Sequence, residues 1–312
     1  MTGRILVTPR SLSNGGHPAM QPLLDAGFEL VCPAPGATPT EAQLIAAIPD
    51  CLGWLCGVER VSSAVIENAP ALRVISRNGT GVDNLPMLTL DQRGIAVTRA
   101  EGANARSVAE LALTLALAGL RHVVPTHQGM KQGDWPRRIG REMAGARVGV
   151  VGLGAIGASF ARFCLALGAQ VHGFDPFAPA DQIVDAAFRR TDLAGALEAM
   201  DVVSLHAPMP ADGQALIGAD LLARMAPGAV LVNTARAGLV DEAALLAALG
   251  AGHIGTYATD VFDTEPPQPS ALLAHPRVIL TSHIGGFTTE SVERATAAAV
   301  ANLLKALHAH AD

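Results

Sequence analysis

Short apolar runs rich in β-branched residues recur along the chain, each followed by an Ala/Leu-rich segment of helical character. The runs are "RILVTP", "LGWLCG", "RVISRN" and "IAVTRA", then "RVGVVG", "AQVHGFD", "VVSLHA", "AVLVNTA", "TYATDVF" and "VILTSH". They lack the strict apolar-polar alternation of a half-solvated strand, so strands covered on both faces and joined by helices are expected, which means parallel α/β sheets. Ten such strands are many for one sheet. The first four and the last six therefore predict two Rossmann-like, doubly wound parallel-sheet domains. The boundary falls near residue 100, where "TRAEGANARSVAELALTLALAG" enters a long helix through an Asn/Ser-containing turn. Residues 1–100 and 101–286 are the expected domains, with a C-terminal helix over 287–312 joining the first.

Composition changes this picture little. An apolar fraction of 50% in 312 residues supports buried cores. The longest apolar stretch, Val108–Leu120, is interrupted by Glu110 and is shorter than the roughly 18 to 20 residues a bilayer span needs, so no membrane partner is expected. The N-terminus lacks the pattern of a secretory signal, which makes a cytoplasmic location the expectation. Cys32, Cys51, Cys56 and Cys164 are scattered, without paired or His-associated metal spacing, and read as buried thiols; no metal is expected. A net charge of −6 without a long basic run argues against nucleic acid as a partner and leaves room for a small anionic ligand held by local arginines.

The most specific local motif is "RVGVVGLGAIGASFARFCLALGAQVHGFDP". A strand over Arg147–Val151 meets Gly152, Gly154 and Gly157 in GxGxxG spacing, a helix follows to about Leu167, and a second strand ends at Asp175. Such glycines allow a tight turn, close approach of backbone to a pyrophosphate and close helix-sheet packing, while the helix N-terminus supplies N–H groups and a positive dipole end. A lone GxGxxG is weak evidence. With the strand, helix and downstream acid in order it predicts a dinucleotide cradle. Asp175 suits the adenosine ribose hydroxyls and would repel a 2′-phosphate, and "PFAP" after it offers no arginine, so NAD is expected over NADP.

Ligands of doubly wound sheets sit at the carboxyl ends of the strands. Arg236 follows a buried strand in "AVLVNTARAGLVDEAAL", where a guanidinium can hold a carboxylate bidentately. "TYATDVFDTEPP" supplies Asp260 and Glu265, and "VILTSHIGG" ends in His283. An imidazole with a carboxylate reachable from the neighbouring strand end suits proton transfer, Glu265 orienting His283 and stabilising its charged form. Each residue also has an ordinary reading: a surface ion pair for the arginine, a solvated loop for the glutamate, a structural role for the histidine. Their joint appearance downstream of the cradle favours a hydride-transfer site. Asp263 reads as solvated.

The blocks "GLGAIG", "NTARAGLVDEAAL", "DVFDTEPP" and "SHIGG", within a stretch running from "RVISRNGTGVDNLP" to "TSHIGGFTTESVERA", resemble the D-isomer-specific 2-hydroxyacid dehydrogenase family, most closely its phosphoglycerate dehydrogenase branch. The resemblance implies a substrate-binding first domain, an NAD-binding second domain and an active site in the cleft between them. It implies that Arg236 grips the substrate carboxylate and carbonyl, that His283 is the acid/base and that Glu265 is its partner. It further implies cofactor contacts at Ala155, Ile156, Ala207, Thr234, Ala235, Asp260, Gly285 and Gly286 besides the three motif glycines and Asp175. Arg77, Asn78, Gly79 and Thr80 would join Arg236 and His283 in binding substrate, with the N–H groups of Gly79 and Gly81 and the charge of Arg77 hinting at a second anionic group. The expected reaction interconverts a small 2-hydroxy acid and its 2-oxo acid, with 3-phosphoglycerate first and hydroxypyruvate/glyoxylate or sulfolactate types behind it; a co-repressor-like NADH-sensing binding protein is the alternative from another class.

A homodimer formed through the NAD-binding domain is also implied, with Val108–Leu120 as the contact, although that helix equally fits internal core. Three departures stand out. The stretch between Trp135 and Gly140 is about two residues shorter than the usual family form, "HAPMPADG" replaces a Pro-Leu-Thr-rich turn, and the sequence ends near Asp312, so feedback through a C-terminal regulatory domain is not expected.

Overall fold

The computed structural model describes residues 3–179 and 181–309 of the chain. It divides into two compact units. Unit 1 comprises Met1–Asn104 and Thr289–Asp312, and unit 2 comprises Ala105–Thr288.

Unit 1 carries five strands, β1 (Gly3–Val7), β2 (Phe28–Val31), β3 (Cys51–Cys56), β4 (Val74–Arg77) and β5 (Ala96–Arg99), all parallel in the order β2-β1-β3-β4-β5. That is the flavodoxin-like order, whose topological switch point lies between β1 and β3. The helix Thr289–Ala309 packs on this sheet; residues 310–312 of the expected terminal helix lie outside the described residues. Thr296, Ala299, Val300, Leu303 and Leu307 recur at helical spacing on its buried side. Ala299, Val300, Leu303 and Leu307 meet Ile5, Val7, Leu55 and Val74, and the Ser76 hydroxyl donates to the Ala299 carbonyl at 2.7 Å. Gly53 makes this approach close: a Cβ there would stand 3.0 Å from both Ile5 and Leu303 side chains.

Unit 2 carries β6 (Arg147–Val151), β7 (Gln170–Phe174), β8 (Phe188–Arg190), β9 (Val202–Leu205), β10 (Ala229–Asn233), β11 (Ile254–Thr259) and β12 (Val278–Leu280). They form one parallel sheet in the order β12-β11-β10-β9-β6-β7-β8. The switch point is between β6 and β9, the neighbours from which the strand order runs outward in both directions. β9 and β10 are buried along their whole length, as expected for strands covered on both faces.

The helix Ala105–Leu120 is internal core. Ala109, Ala112, Leu115, Ala116 and Leu120 pack with Val148, Val150, Val230 and Val232 of the sheet. A Cβ at Gly119 would stand 2.8 Å from Val230, so a small residue sets that approach. Of the two readings the sequence left for Val108–Leu120, these side chains fulfil the internal one. Among the described residues no single helix is long and apolar enough to cross a membrane.

Candidate active site

At the carboxyl end of β6 the chain turns through Gly152–Leu153–Gly154 into the helix Ala155–Ala166. Gly152 has φ +91, and a Cβ there would lie 2.7 Å from both the Ala207 nitrogen and the His206 carbonyl carbon. Only glycine fits. A Cβ at Gly157 would lie 1.9 Å from the Gly152 carbonyl oxygen, which makes it the glycine of close helix-turn packing. Gly154 differs: a Cβ there would meet no protein atom within 4 Å. As N-cap it provides no side-chain acceptor, so the first N–H groups of a 12-residue helix face open space.

Asp175 follows β7. Its Oδ2 accepts from the Leu153 N–H of the glycine turn at 2.8 Å, and its Oδ1 accepts from Phe177 and Ala178 N–H at 2.8 and 3.1 Å. The carboxylate thus pins the turn to its own loop. Ala155 is exposed and Ile156 half-buried at the start of the helix.

Across the switch point, β9 is followed by His206 and Ala207. The His206 ring lies against Phe160, 5.3 Å between centroids, with Nε2 2.9 Å from the Ser204 hydroxyl and Nδ1 buried without a partner. Desolvation pushes its pKa down to about 3, so the ring beside the glycine turn is neutral. At the end of β10, fully buried Asn233 folds the next turn, its amide donating to the Arg236 carbonyl at 2.8 Å and its Oδ1 accepting from Ala235 N–H at 3.1 Å. Thr234 is buried with an unpartnered hydroxyl. Half-buried Arg236 starts three residues beyond the strand and donates through Nη1 to the Ala235 carbonyl at 2.7 Å.

Beyond the adjacent strands β11 and β12 the chemistry becomes dense. His283 Nδ1 lies 2.8 Å from both carboxylate oxygens of Glu265. The Phe262 N–H also reaches Glu265 Oε1, at 3.3 Å. Both side chains are partly exposed, so reactants can reach the ring. With Nδ1 engaged, Nε2 is the nitrogen left for proton transfer. His283 has φ +55, a left-handed conformation that is costly for a non-glycine residue.

Asp260 holds it there. This carboxylate, 2% exposed, accepts from the Thr281 hydroxyl at 2.6 Å and the Ile284 N–H at 2.8 Å through Oδ1, and from the Gly285 N–H at 2.8 Å through Oδ2. The clamp grips the chain on both sides of His283. Buried Ser107 completes it by donating to the Gly285 carbonyl at 2.6 Å, and half-buried Gly286 follows. The sequence offered Asp260 as a cofactor contact; its position as anchor of the histidine turn, and the parts of Thr281, Ser107 and Asn233, were not anticipated. A hydroxyl residue two places before His283 was the one local signal.

The predicted substrate residues of unit 1 follow β4. Arg77, 9% exposed, donates through Nη1 to the Asn78 carbonyl at 3.0 Å and through Nε to Asn84 Oδ1 at 3.3 Å. The Gly79 N–H donates to the Arg77 carbonyl at 2.9 Å, and Thr80 Oγ1 accepts from Asn104 Nδ2 at 3.4 Å. Asn78 Oδ1 accepts from Thr296 at 3.5 Å. Much of the donor capacity expected for an anion is therefore engaged within the loop itself. Among the described residues no group of three or more His, Cys, Asp and Glu side chains is placed to hold a metal ion.

Comparison with known proteins agrees with this geometry. Residues 113–285, more than half of the chain, match the model of the D-isomer specific 2-hydroxyacid dehydrogenase NAD binding domain. The chain is 38% identical over 235 residues to a D-3-phosphoglycerate dehydrogenase of Archaeoglobus fulgidus, covering 74% of this chain and 45% of that protein. It is 40% identical over 252 residues to an (S)-sulfolactate dehydrogenase of Chromohalobacter salexigens, covering 80% and 82%. The match to the phosphoglycerate dehydrogenases spans about half of their length. Among solved structures, a Thermus thermophilus protein superposes with a TM-score of 0.83 at 33% identity, covering 98% of this chain and 97% of that one. The chain belongs to the D-isomer specific 2-hydroxyacid dehydrogenase family, and its glycine turn and histidine turn both lie in the family's NAD binding domain.

Proposed function

We propose that the chain is an NAD-dependent oxidoreductase that interconverts a small 2-hydroxy acid and its 2-oxo acid. The observation that carries this reading is the His283–Glu265 pair at 2.8 Å, beyond the same sheet whose switch point holds the open glycine turn. The residues fit a dinucleotide: space above Gly154, uncapped helix N–H groups, the unpartnered buried hydroxyl of Thr234, and a carboxylate at Asp175 that disfavours a 2′-phosphate. NAD, when bound, supplies the hydride acceptor or donor.

The remaining work falls to the chain. In the oxidative direction His283 takes the hydroxyl proton at Nε2, and in the reductive direction it returns that proton to the 2-oxo oxygen. Glu265 fixes the tautomer through Nδ1 and stabilises the imidazolium. Arg236 binds the substrate carboxylate with its guanidinium. Unit 1 acts as the substrate-binding domain.

The four free cysteines are consistent with a cytoplasmic location. The exposed apolar side chains Val123, Met130, Trp135 and Ile139, all in unit 2, are consistent with a homodimer. The test is NADH oxidation by purified protein over a panel of 2-oxo acids. Turnover is expected, and His283→Ala is expected to lower kcat about 10³-fold. No turnover on any acid, or full activity in the variant, overturns the assignment.

A further inference from the structure

The ribose end of the dinucleotide cradle carries a cation that the residues following Asp175 do not reveal. "PFAP" contains no arginine, but the fold brings one from the next strand. β8 pairs with β7 so that Arg190, its last residue, stands level with Gly173. From there the side chain reaches the loop after β7. Nη2 donates to the Asp175 carbonyl in a short contact, and Nη1 donates to the Pro179 carbonyl at 2.9 Å. The guanidinium thus sits in the turn that presents Asp175, and every residue of this arrangement belongs to unit 2.

Both partners of Arg190 are neutral. Among the described residues no carboxylate oxygen comes within 4.0 Å of its guanidinium, which is charged at any working pH. The two carbonyls engage only part of its N–H fork, and the residue is half-buried, so the remaining N–H groups can meet a ligand. The loop itself faces water, with Phe177 94% exposed. Asp175 is placed the opposite way. Its Oδ1 accepts from the Phe177 and Ala178 N–H groups and its Oδ2 from the Leu153 N–H, which leaves an acceptor position on Oδ2 for a ribose hydroxyl. The charged neighbours Asp181 and Arg189 are exposed and screened by water. A carboxylate alone at a ribose site repels a 2′-phosphate; one with a guanidinium beside it, unmatched by any other acid, does not exclude it.

We propose that Arg190 is a specificity-determining residue of the cofactor site: its guanidinium receives a 2′-phosphate, so that the chain binds NADPH alongside NADH. The inference deepens the dinucleotide cradle proposed above and rests on it. Asp175 serves the ribose hydroxyls of NADH, and Arg190 offsets the repulsion of that carboxylate for the phosphate of NADPH. An opposite charge a few ångströms from a half-buried anion favours its binding by at least about tenfold. A brace of the loop and nothing more would act on both dinucleotides alike, which is what the experiment separates.

Dissociation constants of NADH and NADPH are measured by fluorescence titration of the full chain, in the wild type and in Arg190→Gln, whose amide can still donate to a loop carbonyl. The wild type is expected to bind NADPH within about tenfold of NADH, and the variant to lose at least about tenfold for NADPH and less than about threefold for NADH. Wild-type binding of NADPH more than about tenfold weaker than NADH, or equal changes for the two dinucleotides in the folded variant, overturns the proposal. If the variant does not fold, displacement of NADH from the wild type by adenosine 2′,5′-bisphosphate and by adenosine 5′-monophosphate decides. Stronger displacement by the bisphosphate, fading as salt is raised, supports the role of Arg190, and equal or weaker displacement overturns it. Binding of NADH without NADPH defeats this proposal and leaves the cradle standing, whereas binding of neither defeats the cradle and this proposal with it.

Discussion

Among the described residues each unit buries one carboxylate just past the carboxyl end of a strand, Glu59 after β3 and Asp260 after β11, and the donors reach the two differently. Asp260 in unit 2 takes hydrogen bonds on both oxygens, from residues on either side of His283. Glu59 in unit 1 takes three on one oxygen. A carboxylate saturated on both sides fixes backbone, because each donor it holds is a fixed point of the chain. Glu59 instead gathers its donors at a single oxygen while the other packs against Gly57. Burial alone does not tell the two apart; the distribution of donors between the two oxygens does.

The sharpest way to break this comparison is Asp260→Asn. An amide offers one acceptor oxygen and turns an NH₂ toward an N–H or hydroxyl that it cannot accept from. The turn would lose at least one bond to the clamp, and His283 would be free to leave its left-handed conformation. A misplacement of about 1 Å at the proton-transfer atom costs about 100-fold in kcat. The expected result is a fall of that size with the KM for the 2-oxo acid changed by less than about fivefold, together with a loss of about 1 to 3 kcal/mol in denaturant unfolding. Unchanged kcat in a folded variant would remove Asp260 from the histidine turn and return it to cofactor contact alone.

His206 sharpens the comparison from the side of a buried base. Its folded pKa of about 3 lies below the ordinary histidine value, through desolvation. Between about pH 6.5 and 3 the unfolded chain therefore binds a proton that the folded chain does not. The stabilisation is complete above pH 6.5 and declines as pH falls, by about 2 kcal/mol at pH 5. Urea unfolding at pH 7.5 and pH 5 should show that decline in the wild type, and His206→Asn should show less of it. Equal pH slopes in the two proteins would mean that the ring protonates in place.

The strand-turn-helix of unit 2 was legible because each of its parts leaves a local mark: a buried strand, glycines that a backbone approach demands, an acid at the next strand end. Two of the four edge strands leave none. Phe28–Val31 and Phe188–Arg190 are four and three residues long and each lies at one edge of its sheet, where the exposed side chains of Glu29 and Arg189 interrupt the apolar run; among the described residues twelve strands stand where ten were expected. The pairing of His283 with Glu265 could be anticipated from adjacent strand ends. The clamp of Asp260 on Thr281, Ile284 and Gly285 could not, since it depends on the register of β11 against β12. In unit 1 the residues Arg77 and Gly79 read as anion donors one at a time, but the loop engages them itself, Arg77 on the Asn78 carbonyl and the Gly79 N–H on the Arg77 carbonyl, as sequence cannot show.

The smallest expected effect concerns the three motif glycines, which look equivalent in sequence and are not. Gly152 and Gly157 meet backbone atoms where a Cβ would stand, so alanine at either position must move the turn or the helix. Gly154 has φ −60, open to any residue, and no protein atom near its would-be Cβ. Gly154→Ala should therefore fold with Tm within about 2 °C of wild type, while a methyl group stands where the pyrophosphate would approach. A rise of about tenfold in the NADH dissociation constant, measured by fluorescence titration, is the expected result. Binding left intact by this variant would place the dinucleotide elsewhere on the sheet and separate the glycine turn from the His283 turn that it is proposed to serve.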